Sequence, residues 1–122
     1  MLPRNYRITA LNDTGASVDI TVTARRWKFG TGGAAEYEAA EATLLTASAV
    51  ADAALATGTA QDNSADGYIG ASLHVATTGT GTANVVTIFL EVSTDGGVTW
   101  PTAGDGIPVG YAKAGDSHSL VL

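Results

Sequence analysis

The sequence predicts an all-β protein, an antiparallel β-sandwich in one domain over residues 1–122. Three observations carry that expectation. Apolar residues recur at every second position in several separate stretches, the period of a strand with one buried face. Clusters of Gly, Thr, Asn and Asp separate those stretches, and such clusters make turns. The chain has 122 residues and no cysteine, so it is long enough to bury a core and has no disulfide framework or thiolate metal site.

Taken in order, Tyr6, Ile8 and Ala10 alternate with Arg7 and Thr9 and predict a first strand. Asn12-Asp13-Thr14-Gly15 is a turn cluster. Val18, Ile20, Val22 and Ala24 then alternate with Asp19, Thr21, Thr23 and Arg25, a half-buried strand that extends toward Trp27 or Phe29. The short connection predicts that these two strands form an antiparallel hairpin. Gly30-Thr31-Gly32-Gly33 closes the segment.

Residues 35–56 support two readings. Their Ala and Glu favour a helix, with Tyr37, Leu44, Ala51 and Leu55 on one face. The same stretch also reads as two edge-type strands, 36–45 and 48–57. A polar loop follows over 57–66. Ile69, Ala71, Leu73 and Val75 form the apolar face of the next strand, 67–77, opposite Tyr68, Ser72 and His74.

The strongest strand signal lies in 85–100. Val86, Ile88, Leu90 and Val92 make an aliphatic face; Val85, Thr87, Phe89 and Glu91 make a half-apolar one. Such a strand is central or covered, and it is expected to pair with 67–77. Asp95-Gly96-Gly97 supplies the positive φ angles of a hairpin turn, with the chain returning on Trp100. Pro108 makes 107–111 an edge strand, because proline cannot donate to a ladder. A last strand, 118–122, turns Leu120 and Leu122 one way and Val121 the other.

Composition narrows the function classes. Charged residues are 15% of the chain, against about 25% in typical soluble domains. A sparse-charge surface suits a protein that covers its outside with neighbours. The net charge of −6 is uneven. Arg4, Arg7, Arg25, Arg26 and Lys28 lie near the start, and no Lys or Arg occurs from Phe29 to Ala112. That acidic body repels phosphate, so no nucleic-acid partner is expected. No apolar run is long enough for a membrane span or a signal peptide, so synthesis inside the cell is expected.

No catalytic constellation emerges, and neither a metal nor a cofactor is expected. His74 reads as a surface histidine. His118 has Asp116, Ser117 and Ser119 nearby, but a triad is defined by geometry. Asp62, Asn63 and Asp66 lack calcium-loop spacing and read as turn formers. Trp27, Phe29, Tyr68 and Tyr111 are candidates for a sugar-stacking platform, but read more simply as core or interface.

Residues 93–100 resemble the Asp-box, Ser-x-Asp-x-Gly-x-Thr-Trp, at Ser93, Asp95, Gly97, Thr99 and Trp100. In sialidases that motif recurs once per propeller blade, away from the chemistry. Here it occurs once, in a chain too short for a propeller, and reads as a structural hairpin.

The second half, from Tyr68-Ile69-Gly70-Ala71-Ser72-Leu73-His74-Val75 to Ser93-Thr94-Asp95-Gly96-Gly97-Val98-Thr99-Trp100-Pro101, is similar to small structural proteins of tailed bacteriophages. That resemblance implies a jelly-roll-like sandwich and tips 35–56 toward strands. It implies a non-enzymatic virion component. The favoured placement is a capsid decoration (cement) protein, a homotrimer that bridges capsomers by contacts with the major capsid protein on the capsid surface after synthesis in the host cytoplasm. A tail, baseplate or fibre-associated protein is one alternative, and a carbohydrate-binding module is another. Arg4, Arg7, Arg25, Arg26 and Lys28 are the expected capsid contacts, with Trp27 and Phe29 as apolar anchors.

Overall fold

A computed structural model describes residues 2–102 and 104–122. The described residues contain ten strands and no helix: β1 (Asn5–Asn12), β2 (Val18–Phe29), β3 (Ala35–Tyr37), β4 (Ala42–Val50), β5 (Leu55–Thr57), β6 (Gln61–Asp62), β7 (Gly70–Thr78), β8 (Val86–Ser93), β9 (Ile107–Ala112) and β10 (Ser117–Val121). All pairings are antiparallel. The first sheet has the order β5-β1-β8-β9, with β6 also on β1; the second has β10-β7-β2-β3, with β4 also on β2. The expected antiparallel β-sandwich is the observed fold.

The core lies between the sheets. Tyr6, Ile8 and Ala10 of β1 and Val86 and Ile88 of β8 are buried from one side. Val18, Ile20, Val22 and Ala24 of β2, Leu44 and Leu45 of β4, and Ala71, Leu73 and Val75 of β7 are buried from the other. Outside β4 these are the alternating positions of the sequence, so period-two patterning selects the inner faces of β1, β2, β7 and β8.

Two expected pairings are corrected. β1 and β2 lie in different sheets and do not form a hairpin, and neither do 67–77 and 84–94, because β7 and β8 also lie in different sheets. Each of these strands has one apolar face. Stacking two such faces across a core removes both from water, whereas pairing them edge to edge removes neither. Asn12 builds the first corner. Its side chain donates to the carbonyls of Ala16 (2.8 Å) and Val50 (2.9 Å) and accepts from the Thr14 amide (3.0 Å).

The helical reading of 35–56 is overturned, and the strand limits differ from 36–45 and 48–57. β3, β4 and β5 occupy the stretch, and burial of adjacent Leu44 and Leu45 marks a strand irregularity. The β2–β4 register shifts between Val18 and Ile20 and between Val22 and Thr23. Near the first shift Ala49 has φ 49°, and its amide donates to Asp19 Oδ1 at 2.7 Å. Helix propensity loses here to burial of Leu44, Leu45 and Val50 against the opposite sheet.

The two flanks of the sandwich are built differently. On one, the chain after β5 bridges the sheets: the Gly58 amide donates to Ile8 O of β1 (2.8 Å), and the Thr59 amide donates to Leu44 O of β4 (2.9 Å). A Cβ on Gly58 would collide with both of those carbonyls. On the other flank lie edge strands β9 and β10. They touch where Leu120 packs on Gly110, and among the described residues no ladder joins them.

Candidate interaction surface

The Asp-box-like segment is a self-bonded turn. Asp95 Oδ1 accepts from the Ser93 hydroxyl (2.7 Å) and from the amides of Val98 (3.1 Å) and Thr99 (2.9 Å). Asp95 Oδ2 accepts from the Thr99 hydroxyl (2.6 Å), and the Gly97 amide donates to Ser93 Oγ (2.8 Å). Gly96 and Gly97 take φ of 79° and 89°, conformations that side chains disfavour. Bonds from the Thr99 hydroxyl and amide, then the Ser93 hydroxyl, hold the Asp95 carboxyl far below its ordinary range.

The chain returns past Trp100, and the next strand begins at Ile107. Trp100 covers Arg7, whose guanidinium carbon lies 4.5 Å from the ring centroid. Arg7 Nε donates to Glu91 Oε2 at 2.6 Å, and the Glu91 side chain is fully buried. Trp100 thus roofs part of the outer face of the first sheet, with an ion pair beneath it. On the half-apolar face of β8, Glu91 is buried while Val85, Thr87 and Phe89 are half-buried; the cover is the chain's own loop.

The basic cluster divides into four environments, that of Arg7 beneath Trp100 being one. Arg4 is exposed beside β1. Arg26 continues the inward parity of Val22 and Ala24. Its guanidinium donates to Glu38 at 2.5 Å and to Gln61 at 3.2 Å, and lies over the Tyr68 ring at 4.7 Å. The Glu38 hydrogen bond raises the Arg26 pKa. Burial pushes the Glu38 pKa up, but bonds from the Arg26 side chain and amide outweigh it, and the net shift is down. Burial also raises the pKa of Tyr6, against the pull of neighbouring Arg26. Tyr6 Oη and Arg26 Nε are buried, with no hydrogen-bond partner among the described residues. Lys28 Nζ reaches Asp66 O at 3.3 Å, 5.5 Å from the Tyr68 ring centroid.

Arg25, Trp27 and Phe29 take the opposite parity, on the outer face of the second sheet. Trp27 and Phe29 meet edge to face, with centroids 5.5 Å apart at 79°. The glycine turn at 30–33 folds β3 back so that Tyr37 pairs with Trp27. The indole also lies against Gly70, where an added Cβ would meet Trp27 Nε1 at 2.5 Å. Phe29 and Tyr37 are 59% and 57% exposed, so this is an open aromatic patch with Arg25 beside it.

The seven candidate contact residues therefore do not share one face. Arg7 lies under Trp100 on the first sheet, Arg26 and Lys28 line the inner end of the second, and Arg25, Trp27 and Phe29 face outward from it. Tyr37 belongs to the patch: the turn closed by the Gly30 amide on Ala34 O sets it opposite Trp27.

The stacking platform does not assemble. Tyr68 lies beneath Arg26 and Lys28, while Tyr111 stacks with His118 at 6.3 Å. Alternation along β10 turns His118 away from Ser117 and Ser119, so no triad forms there. Asp62 accepts from the Ser64 amide, and Asn63 is buried on the backbone of Leu2 and Tyr68, as turn formers do. Among the described residues no group of three or more His, Cys, Asp or Glu is placed to hold a metal ion. No family model, no curated protein and no solved structure matches this chain.

Proposed function

We propose that this chain is a non-catalytic structural protein of a tailed-phage virion, placed on the capsid as a decoration protein that bridges subunits of the major capsid protein. The observation that supports the reading is the Trp27–Phe29–Tyr37 patch on the outer face of the second sheet. Aromatic anchors beside an arginine are the residue types that carry protein interfaces. The sparse charge of the chain lowers the desolvation cost of covering such a face. The reading holds for any symmetric copy number, the three-fold one implied by the resemblance included. Edge-to-face rings give sugars no flat platform, which disfavours the carbohydrate-binding alternative.

The test is cosedimentation of purified protein with phage heads and, separately, with tails. Binding to heads is expected, with a loss of about tenfold or more for Phe29→Ser with Tyr37→Ser. Binding to tails alone moves the placement to the tail. Equal occupancy by wild type and variant overturns the patch as the contact.

A further inference from the structure

A sheet edge exposes unpaired N–H and C=O groups, and proteins blunt such edges with short strands, charge, proline, bulges or covering chain. Most edges of this sandwich carry one of these devices. β5 and β6 have three and two residues, and β6 ends on Asp62. β3 has three residues and carries Glu36. β4 is bulged, and the Thr59 amide covers its Leu44 carbonyl. β9 contains Pro108, and its pairing with β8 shifts register there.

β10 carries none of them. It is five residues long, Ser-His-Ser-Leu-Val, with no Asp, Glu, Lys, Arg or Pro and no register shift against β7. Val121 is 81% exposed, and Ile107 and Tyr111 of neighbouring β9 are 58% and 62% exposed. Half of the six exposed large hydrophobics among the described residues thus sit on this one flank.

The direction of the free groups follows from the ladder. Leu122 and Ala71 exchange both backbone bonds, and the Thr77 amide donates to Asp116 O. Alternation then turns the backbone groups of His118 and Leu120 toward β7. Those of Ser117, Ser119 and Val121 face outward, and among the described residues nothing pairs with them.

We infer that β10 is a homodimerisation edge, occupied by β10 of a second copy in antiparallel register about a two-fold axis through Ser119. That register sets Ser117 opposite the partner's Val121 and Ser119 opposite the partner's Ser119. Every outward donor then meets an outward acceptor. The occupant is a second copy because the strand is self-complementary: it brings no like charges together, whereas Glu36 and Asp62 mark the other flank. Assembly stops at two, because the remaining edges are blunted. The inference is independent of the virion reading.

The chain has no cysteine, so Ser119→Cys is a clean probe of the axis. The Cα separation of a directly opposed pair, ~5.5 Å, lies within disulfide range. Expected are a dimer mass by analytical ultracentrifugation at ~10–100 μM, covalent dimer from oxidised Ser119→Cys, and none from Ser117→Cys or Val121→Cys alone; mixing those two variants restores the cross-link. Ser119→Lys sets two ammonium groups face to face and should yield a monomer with an unchanged circular dichroism spectrum. A wild-type monomer across that range, a trimer, or a dimer that survives Ser119→Lys overturns the proposal.

Discussion

The two flanks of the sandwich divide the work of one fold. On the β4–β5 side the chain sews the sheets together, with backbone bonds from Gly58 and Thr59 and the Arg26–Gln61 contact from β2 to β6. On the β9–β10 side the sheets meet through Leu120 on Gly110, and one strand keeps its outer groups unpaired. The contrast teaches that a small sandwich can concentrate its backbone closure on one side and leave the other available for assembly.

The same substitution on each flank tests this most strongly. Gly58→Ala drives a methyl group into the Ile8 and Leu44 carbonyls, which are fixed backbone, and should cost about 3 kcal/mol in urea denaturation. Gly110→Ala meets the end of the Leu120 side chain, which can rotate, and should cost about 1 kcal/mol. Equal losses would erase the difference between the flanks.

Next in size is Arg26→Ala. It leaves the Glu38 carboxylate, 12% exposed, without its cation, and should destabilise by about 2 kcal/mol or more. Exposed Arg25→Ala should change stability by less than about 0.5 kcal/mol. Amide exchange sharpens the comparison further. In dilute protein the Thr59 amide should exchange at least about 100-fold more slowly than that of Ser119, and dimer formation should slow Ser119 alone of the two.

The smallest expected effect is acidification to pH 4. The Asp95 pKa is lowered in the fold from an ordinary value of 3.8. Its contribution is therefore complete above 3.8 and disappears as pH falls through the lowered value. Trp100 fluorescence should be flat from pH 7 to pH 4 and change only below that; a transition near pH 5 would contradict the clasped turn.

Much of this fold was legible because alternation reports directly on burial. Val18, Ile20, Val22 and Ala24 point inward, and 107–111 is an edge, as their residues imply. Sheet membership was not legible: a period of two says which side of a strand is covered, not which strand covers it. The Arg7–Glu91 pair spans 84 positions, and no local pattern joins its ends. Arg26 was readable in principle, since parity from Ala24 turns it inward, but its place in a basic run made it an expected capsid contact. Tyr37 was obscured by the helix propensity around it.

Arg26 has a consequence for alignment. β2 begins Val-Asp-Ile-Thr-Val-Thr-Ala, a sequence that looks nearly the same to its neighbours after sliding by two residues. A slide that moved Arg26 into the place of Ala24 would carry the guanidinium from Glu38 and Gln61 into the aliphatic interior, where an unmatched charge is costly by several kcal/mol. The ion pair thus works as an index mark on a repetitive ruler, leaving the strand a single place to stop.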